Sequence, residues 1–143
     1  MVRLLLSRTG AMAIQVKPFD DPPETPVTVA LVPLPVDPSD FRLRHKTSDR
    51  RFYDRARRDG GAYETIFVGP DGQLTEGSRT NIFVERGGQL LTPPLANGLM
   101  PGILRESLID EGRAVEAPLT PDDLAEGFYV GNIVRGLIPA RLV

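Results

Sequence analysis

The stretch Leu74-Thr-Glu-Gly-Ser-Arg-Thr-Asn-Ile-Phe-Val-Glu-Arg-Gly-Gly-Gln-Leu-Leu-Thr92 decides how the chain folds. Its apolar and β-branched residues come in short runs, at Leu74-Thr75, at Ile82-Phe83-Val84 and at Leu90-Leu91-Thr92. Runs of that length suit strands, whereas a helix needs about three turns of sustained periodicity. The insert Arg86-Gly-Gly-Gln89 predicts a tight hairpin turn, because glycine accepts the positive φ such turns require. Immediately upstream, residues 63–68 (Tyr-Glu-Thr-Ile-Phe-Val) read as another strand, followed by the turn Gly69-Pro-Asp-Gly72.

The same reading extends in both directions. Residues 2–7 and 13–19 flank Arg8-Thr-Gly-Ala11 as a β-hairpin. Residues 20–26 carry three prolines and form a linker. Residues 27–32, apolar and β-branched between Pro26 and Pro33, suit a buried strand. Thr47-Ser-Asp49 predicts a helix N-cap, with the helix over 50–58 stopped by Gly60-Gly61. A second helix is expected from Gly102 to its stop at Gly112, then a strand over 114–117. Thr120 caps a helix of one to two turns over 120–126, and residues 128–130 and 136–142 are the last strands. The expected class is α+β with a mainly antiparallel sheet, a few helices and no internal repeat.

Composition bounds the function. With 143 residues the chain is one domain's worth, and 41% hydrophobic and 25% charged residues are those of an ordinary globular protein. A net charge of −2 gives no field to attract nucleic acid or an anionic membrane. No apolar run approaches the roughly 18 residues of a membrane span, and the N-terminal apolar stretch is too short for a signal peptide. Cysteine is absent, which excludes disulfides, thiolate zinc sites and a Cys nucleophile. The expectation is a cytoplasmic protein. Of the 17 basic residues all but Lys17 and Lys46 are Arg, so lysine is the exception that invites a chemical role.

Three polar loops stand where strands meet turns or helices: Arg44-His-Lys-Thr-Ser-Asp49, Leu74-Thr-Glu-Gly-Ser-Arg-Thr-Asn81 and Leu99-Met-Pro-Gly-Ile-Leu-Arg105. Free N–H groups in the first turn after Gly102 would suit a phosphate. His45 has no adjacent Ser or Cys nucleophile with which to form a triad. No metal-ligand spacing and no Gly-rich nucleotide loop is present. Singly, Lys46 reads as a surface amine and Glu76 as a solvated turn carboxylate.

Together and in order, these loops with Leu90-Leu-Thr-Pro-Pro94 and Val130-Gly-Asn-Ile-Val-Arg-Gly136 resemble the class IV, fold-type IV pyridoxal-phosphate enzymes. That family includes branched-chain and D-amino acid aminotransferases and 4-amino-4-deoxychorismate lyase, and the likeness runs from about Leu43 to the C-terminus. It implies the large domain of the D-amino acid aminotransferase-like fold over residues 27–143. Residues 1–26 would be the terminal hairpin and linker of a small N-terminal domain that is otherwise largely missing.

The resemblance also implies roles. Pyridoxal 5′-phosphate is the cofactor, joined covalently to Lys46, whose amine then moves protons. Glu76 pairs with the cofactor's ring nitrogen, and the Ile103 and Leu104 N–H groups hold its phosphate. Asn132 matches a position where relatives often carry a phosphate-binding Thr. Arg50 lies near a position from which some relatives direct a Tyr to the cofactor hydroxyl. The His-Lys-Thr-x-Asp-Arg, Glu-Gly-Ser-Arg-Thr-Asn and Gly-Asn-x-x-Arg-Gly-Leu-Ile-Pro-Ala blocks are most similar to the lyase-like domain of bifunctional 4-aminobenzoate synthases. There it follows a chorismate-amidating subunit; a free-standing protein of the type is equally compatible. The implied reaction yields 4-aminobenzoate and pyruvate from 4-amino-4-deoxychorismate, a small-molecule substrate whose two carboxylates Arg79 and Arg135 would guide. The implied assembly is a homodimer. A branched-chain or D-amino acid aminotransferase and a truncated or non-catalytic cofactor-binding domain are the other readings.

Overall fold

Side chains alternate along the strands after residue 26, and that alternation builds two sides of core from one curled sheet. The structure, a computed structural model, describes residues 1–143 except Asp20 and Pro22. Strands β1 (Val2–Leu6) and β2 (Met12–Val16) form the N-terminal hairpin. They are followed by β3 (Val27–Pro33), α1 (Arg51–Gly60), β4 (Glu64–Val68), β5 (Leu74–Gly77), β6 (Asn81–Arg86) and β7 (Gln89–Thr92). After them come α2 (Ile103–Asp110), β8 (Ala114–Glu116), β9 (Phe128–Asn132) and β10 (Gly136–Leu142).

The second sheet has eight strands in the order β5-β4-β3-β10-β9-β6-β7-β8. The C-terminal strand β10 therefore sits inside the sheet, parallel to β3 through Ala140↔Val27 and antiparallel to β9 through Ile138↔Val130. The α+β expectation holds, and antiparallel pairs predominate. Three parallel pairs, β10 with β3, β3 with β4 and β7 with β8, make the sheet mixed. Parallel neighbours need crossovers, and the crossover from β3 to β4 carries α1 while that from β7 to β8 carries α2.

Val29, Ile66, Leu74, Ile82, Val84, Val130 and Ile138 pack inside the curl. Residues of opposite phase turn outward: Phe67 packs with Leu43 and with Tyr53 of α1, where Leu43 lies in the 3-10 turn Phe41–Leu43 before that helix, and Phe83 packs with Leu108 of α2. Fully burying each such side chain stabilises by roughly 1.5–3 kcal/mol.

Two helix boundaries differ from the expectation. Arg50, not the Thr47-Ser-Asp49 segment, is the N-cap of α1, and it makes no side-chain cap bond. Asp49 is instead drawn to Arg42 and Arg51 at 3.0 and 3.2 Å, because two guanidinium groups outcompete a neutral N–H for a carboxylate. The segment after Thr120 is a 3-10 turn over Pro121–Leu124, held by a capping box between Thr120 and Asp123. Its buried residue is Leu124, too little apolar surface to extend a helix.

The N-terminal hairpin forms its own two-stranded sheet, and all ten of its strand residues are exposed. Val2, Leu4 and Leu6 face Val16, Ile14 and Met12 across the ladder, giving it one apolar face.

Helix α1 ends where Gly61 adopts φ 62°, and its N–H donates to Arg58 O. Gly61→Ala forces a Cβ into the left-handed region and is expected to lower stability by about 1 kcal/mol, read by urea denaturation followed by circular dichroism.

Candidate active site

A single fully buried carboxylate organises the connection between β5 and β6. Glu64 Oε1 accepts from Thr65 N–H at 2.8 Å, Ser78 N–H at 3.0 Å and Ser78 O–H at 2.5 Å. Its Oε2 accepts from Thr80 O–H at 2.9 Å and Arg79 N–H at 3.3 Å. Gly77 N–H closes the turn onto Thr80 O at 2.8 Å. The Ser-Arg-Thr sequence thus wraps around one anion, and donors to a buried carboxylate are what make its burial tolerable.

That turn forms one wall of a cleft of about 610 Å³. The β9–β10 connection joins the wall, because Asn132 Nδ2 donates to Arg79 O at 3.1 Å while its Oδ1 accepts from Val134 and Arg135 N–H. The start of α2 forms the opposite side, and Lys46 and Arg50 line the cleft from the segment before α1. Pro18, Phe19, Asp21 and Pro23 close it from the N-terminal side.

Glu76, 4% exposed, reaches the cleft from β5. The Tyr53 hydroxyl donates to its Oε1, and Met100 N–H donates to its Oε2 at 3.1 Å. Burial pushes the Glu76 carboxyl up to about 7, against the downward pull of those bonds and of Arg50. Burial first, then the Glu76 charge, raises the Tyr53 hydroxyl as well.

The structure brings together Lys46, Arg50, Glu76, Arg79, Ile103, Asn132 and Arg135 as lining residues. Lys46 is exposed, and its amine has no partner among the described residues. Arg50 lies over the Tyr53 ring at 4.4 Å and donates to Ser78 O. Arg79 stacks on Tyr63 at 4.8 Å, and Arg135 on Phe19 at 4.1 Å with a bond to Asp21 O at 3.2 Å. Leu104 does not line the cleft with its side chain, which packs against the Phe83 core beneath. His45 is outside the lining set.

Gly102 is the N-cap of α2 and offers no side-chain cap, so the Ile103 and Leu104 N–H groups have no intrahelical acceptor. A Cβ on Gly102 would meet Asn81 Oδ1 at 2.0 Å, and Asn81 itself donates to Met100 O at 3.0 Å. The close approach seats Asn81 against the helix start, whose Gly102 and Ile103 line the cleft.

Tyr53, Glu64, Asn81 and Met100 were not singled out by the sequence. Asn81 and Met100 stood unmarked inside two of the quoted loops, and Glu64 left its own trace: an acidic residue in phase with Ile66 and Val68 in an apolar strand.

The family model "Amino-transferase class IV" matches residues 2–143. A solved putative amino-acid aminotransferase from Mesorhizobium loti superposes with a TM-score of 0.91 at 40% identity, over 99% of this chain and 72% of its own. A putative aminodeoxychorismate lyase of Schizosaccharomyces pombe is 26% identical over 138 residues, 90% of this chain and 60% of the relative. A probable branched-chain-amino-acid aminotransferase of Thermotoga maritima is 31% identical over 86 residues, 55% of this chain and 32% of the relative. The chain belongs to the class IV aminotransferase family, whose cofactor is pyridoxal 5′-phosphate. It spans about a third to three fifths of the length of these two curated relatives.

Glu64→Ala strands the turn's donors and is expected to cost about 3 kcal/mol in urea unfolding, with Glu64→Gln intermediate. Because the folded-state value of Glu76 is raised, the folded protein binds the extra proton. Its stabilising contribution is full below the ordinary value of 4.5 and is lost as pH rises to about 7. Glu76→Gln should therefore gain stability relative to the parent at pH 8 and not at pH 4, measured by thermal unfolding at both.

Proposed function

We propose that the chain holds pyridoxal 5′-phosphate in this cleft and converts 4-amino-4-deoxychorismate to 4-aminobenzoate and pyruvate. The observation that carries the reading is one cleft lined by an uncommitted lysine amine, a buried carboxylate and an uncapped helix start. These match the three chemical handles of the cofactor. Lys46 suits its aldehyde, Glu76 its ring nitrogen, and the N–H groups of Ile103 and Leu104 at the positive end of α2 its phosphate. Arg50 would stand beside the ring, and Asn132 would hold the phosphate side of the wall. When bound, the cofactor supplies an electron sink for charge developing on the substrate.

The chain's own residues do the rest. The Lys46 Nζ removes the proton from the amino-bearing carbon and returns one to the departing group. A Glu76 carboxylate keeps the ring nitrogen protonated. Arg79 and Arg135, each steadied on an aromatic ring, present two guanidinium groups to a substrate with two carboxylates. That pairing favours the lyase, and a putative lyase matches along 90% of the chain, while the Mesorhizobium loti aminotransferase, matching along 99%, weighs on the other side. The matches to branched-chain aminotransferases support the second reading, in which the same cofactor half-site serves transamination. A cofactor-binding domain without turnover is the third.

In this reading residues 1–26 belong to the covering unit of the site and residues 27–143 hold the cofactor. A second copy of the chain completes the assembly, and a chorismate-amidating subunit supplies the substrate in the cytoplasm. No helix among the described residues is long and apolar enough to cross a membrane.

Adding pyridoxal 5′-phosphate should produce an absorption band near the visible edge that Lys46→Ala abolishes. Pyruvate release from 4-amino-4-deoxychorismate should fall about a thousandfold in that variant. No band in the parent chain would sink the cofactor assignment. Amino transfer from glutamate or branched-chain amino acids without pyruvate release would replace the lyase by the aminotransferase.

A further inference from the structure

The cleft carboxylate is held from behind by a residue that does not itself reach the cleft. Tyr53, on α1, is 2% exposed and absent from the lining residues, yet its hydroxyl donates to Glu76 Oε1. Its ring is fixed on three sides. Phe67 meets it edge-on at 5.5 Å, Phe52 lies against it at 4.1 Å, and the Arg50 guanidinium covers it at 4.4 Å. The hydroxyl therefore cannot follow a wandering carboxylate; the carboxylate must come to it.

Each carboxylate oxygen has two lone pairs. Tyr53 occupies one on Oε1, and Met100 N–H occupies one on Oε2. The second lone pair of each remains for a cationic N–H in the cleft.

We propose that Tyr53 is a positioning residue for Glu76, fixing its orientation and favouring its anionic form through the O–H···O⁻ bond. The part this plays toward a cofactor rests on the reading of Glu76 given above. A donor to the charged form of a buried acid favours that form. Other groups act on the pair from each packed element: Arg50, ahead of α1, favours the anion, and Glu64 on β4 opposes it. Asp40 acts on Tyr53 from the loop before α1, and Lys46 stands in the same cleft. Against burial, Tyr53 is the largest stabiliser of the anion.

The test reads Glu76 in the cofactor-free protein, by NMR titration of side-chain ¹³C-labelled glutamate assigned with Glu76→Gln. Tyr53→Phe keeps the ring and removes the donor, and should raise the Glu76 midpoint by about one pH unit. Site-specific 3-fluorotyrosine at position 53, a stronger donor of nearly the same shape, should lower it, and it serves if Tyr53→Phe does not fold. A purely structural Tyr53 would change stability while leaving the midpoint in place, and that result overturns the proposal. A midpoint that moves in a protein giving no visible band with pyridoxal 5′-phosphate upholds the Tyr53–Glu76 coupling and sinks the cofactor reading. The two failures are thereby distinguishable.

Discussion

The buried Glu64 carboxylate sets the form of everything around the cleft. A charge removed from water on an inner strand position is costly, and the chain meets that cost by folding its own Ser78-Arg79-Thr80 turn around the anion. The turn's shape then dictates where Glu76 leaves β5 and where Asn81 enters β6. Asn81 in turn presses on Gly102 and helps hold the Met100 segment, whose N–H reaches Glu76. One carboxylate off the cleft thus arranges another on its wall.

The charges facing the cleft follow a common pattern. Arg50, Arg79 and Arg135 each rest on an aromatic ring, and each also donates to a backbone carbonyl. Held this way, an arginine loses less freedom on meeting an anion than a lysine on a flexible stem. Lys46 differs from these three arginines: it lines the same cleft with no partner among the described residues.

Much of this could be read from the sequence, and the reasons are physical. Strands announce themselves through residue type and turns through glycine, so the boundaries of β6, β7 and β10 lie within a residue or two of expectation. That Lys46, Glu76 and the start of α2 share one cleft was legible because their motif order resembles a family. The parallel pairs were not, since nothing local in β3 says that β10 will come back beside it. Tyr53 was hidden for a similar reason: a tyrosine on an amphipathic helix looks like core until the partner of its hydroxyl is known. Asp49 was misread because a local capping pattern carries no record of the arginine, seven residues earlier, that claims the side chain.

The interior place of β10 has a consequence in time. A chain is made from its N-terminus, and the strand that joins β3 to β9 emerges after both of the strands it pairs with. Until residues 136–142 are free to enter, the two halves of the sheet have open edges and the Asn132 tie to Arg79 has nothing behind it. Contacts across so many residues also make slow folding steps, because loop closure must precede the reward. The cleft is therefore complete only once residues 136–142 are in place, and a nascent or nicked product lacking that strand presents strand edges that invite association instead.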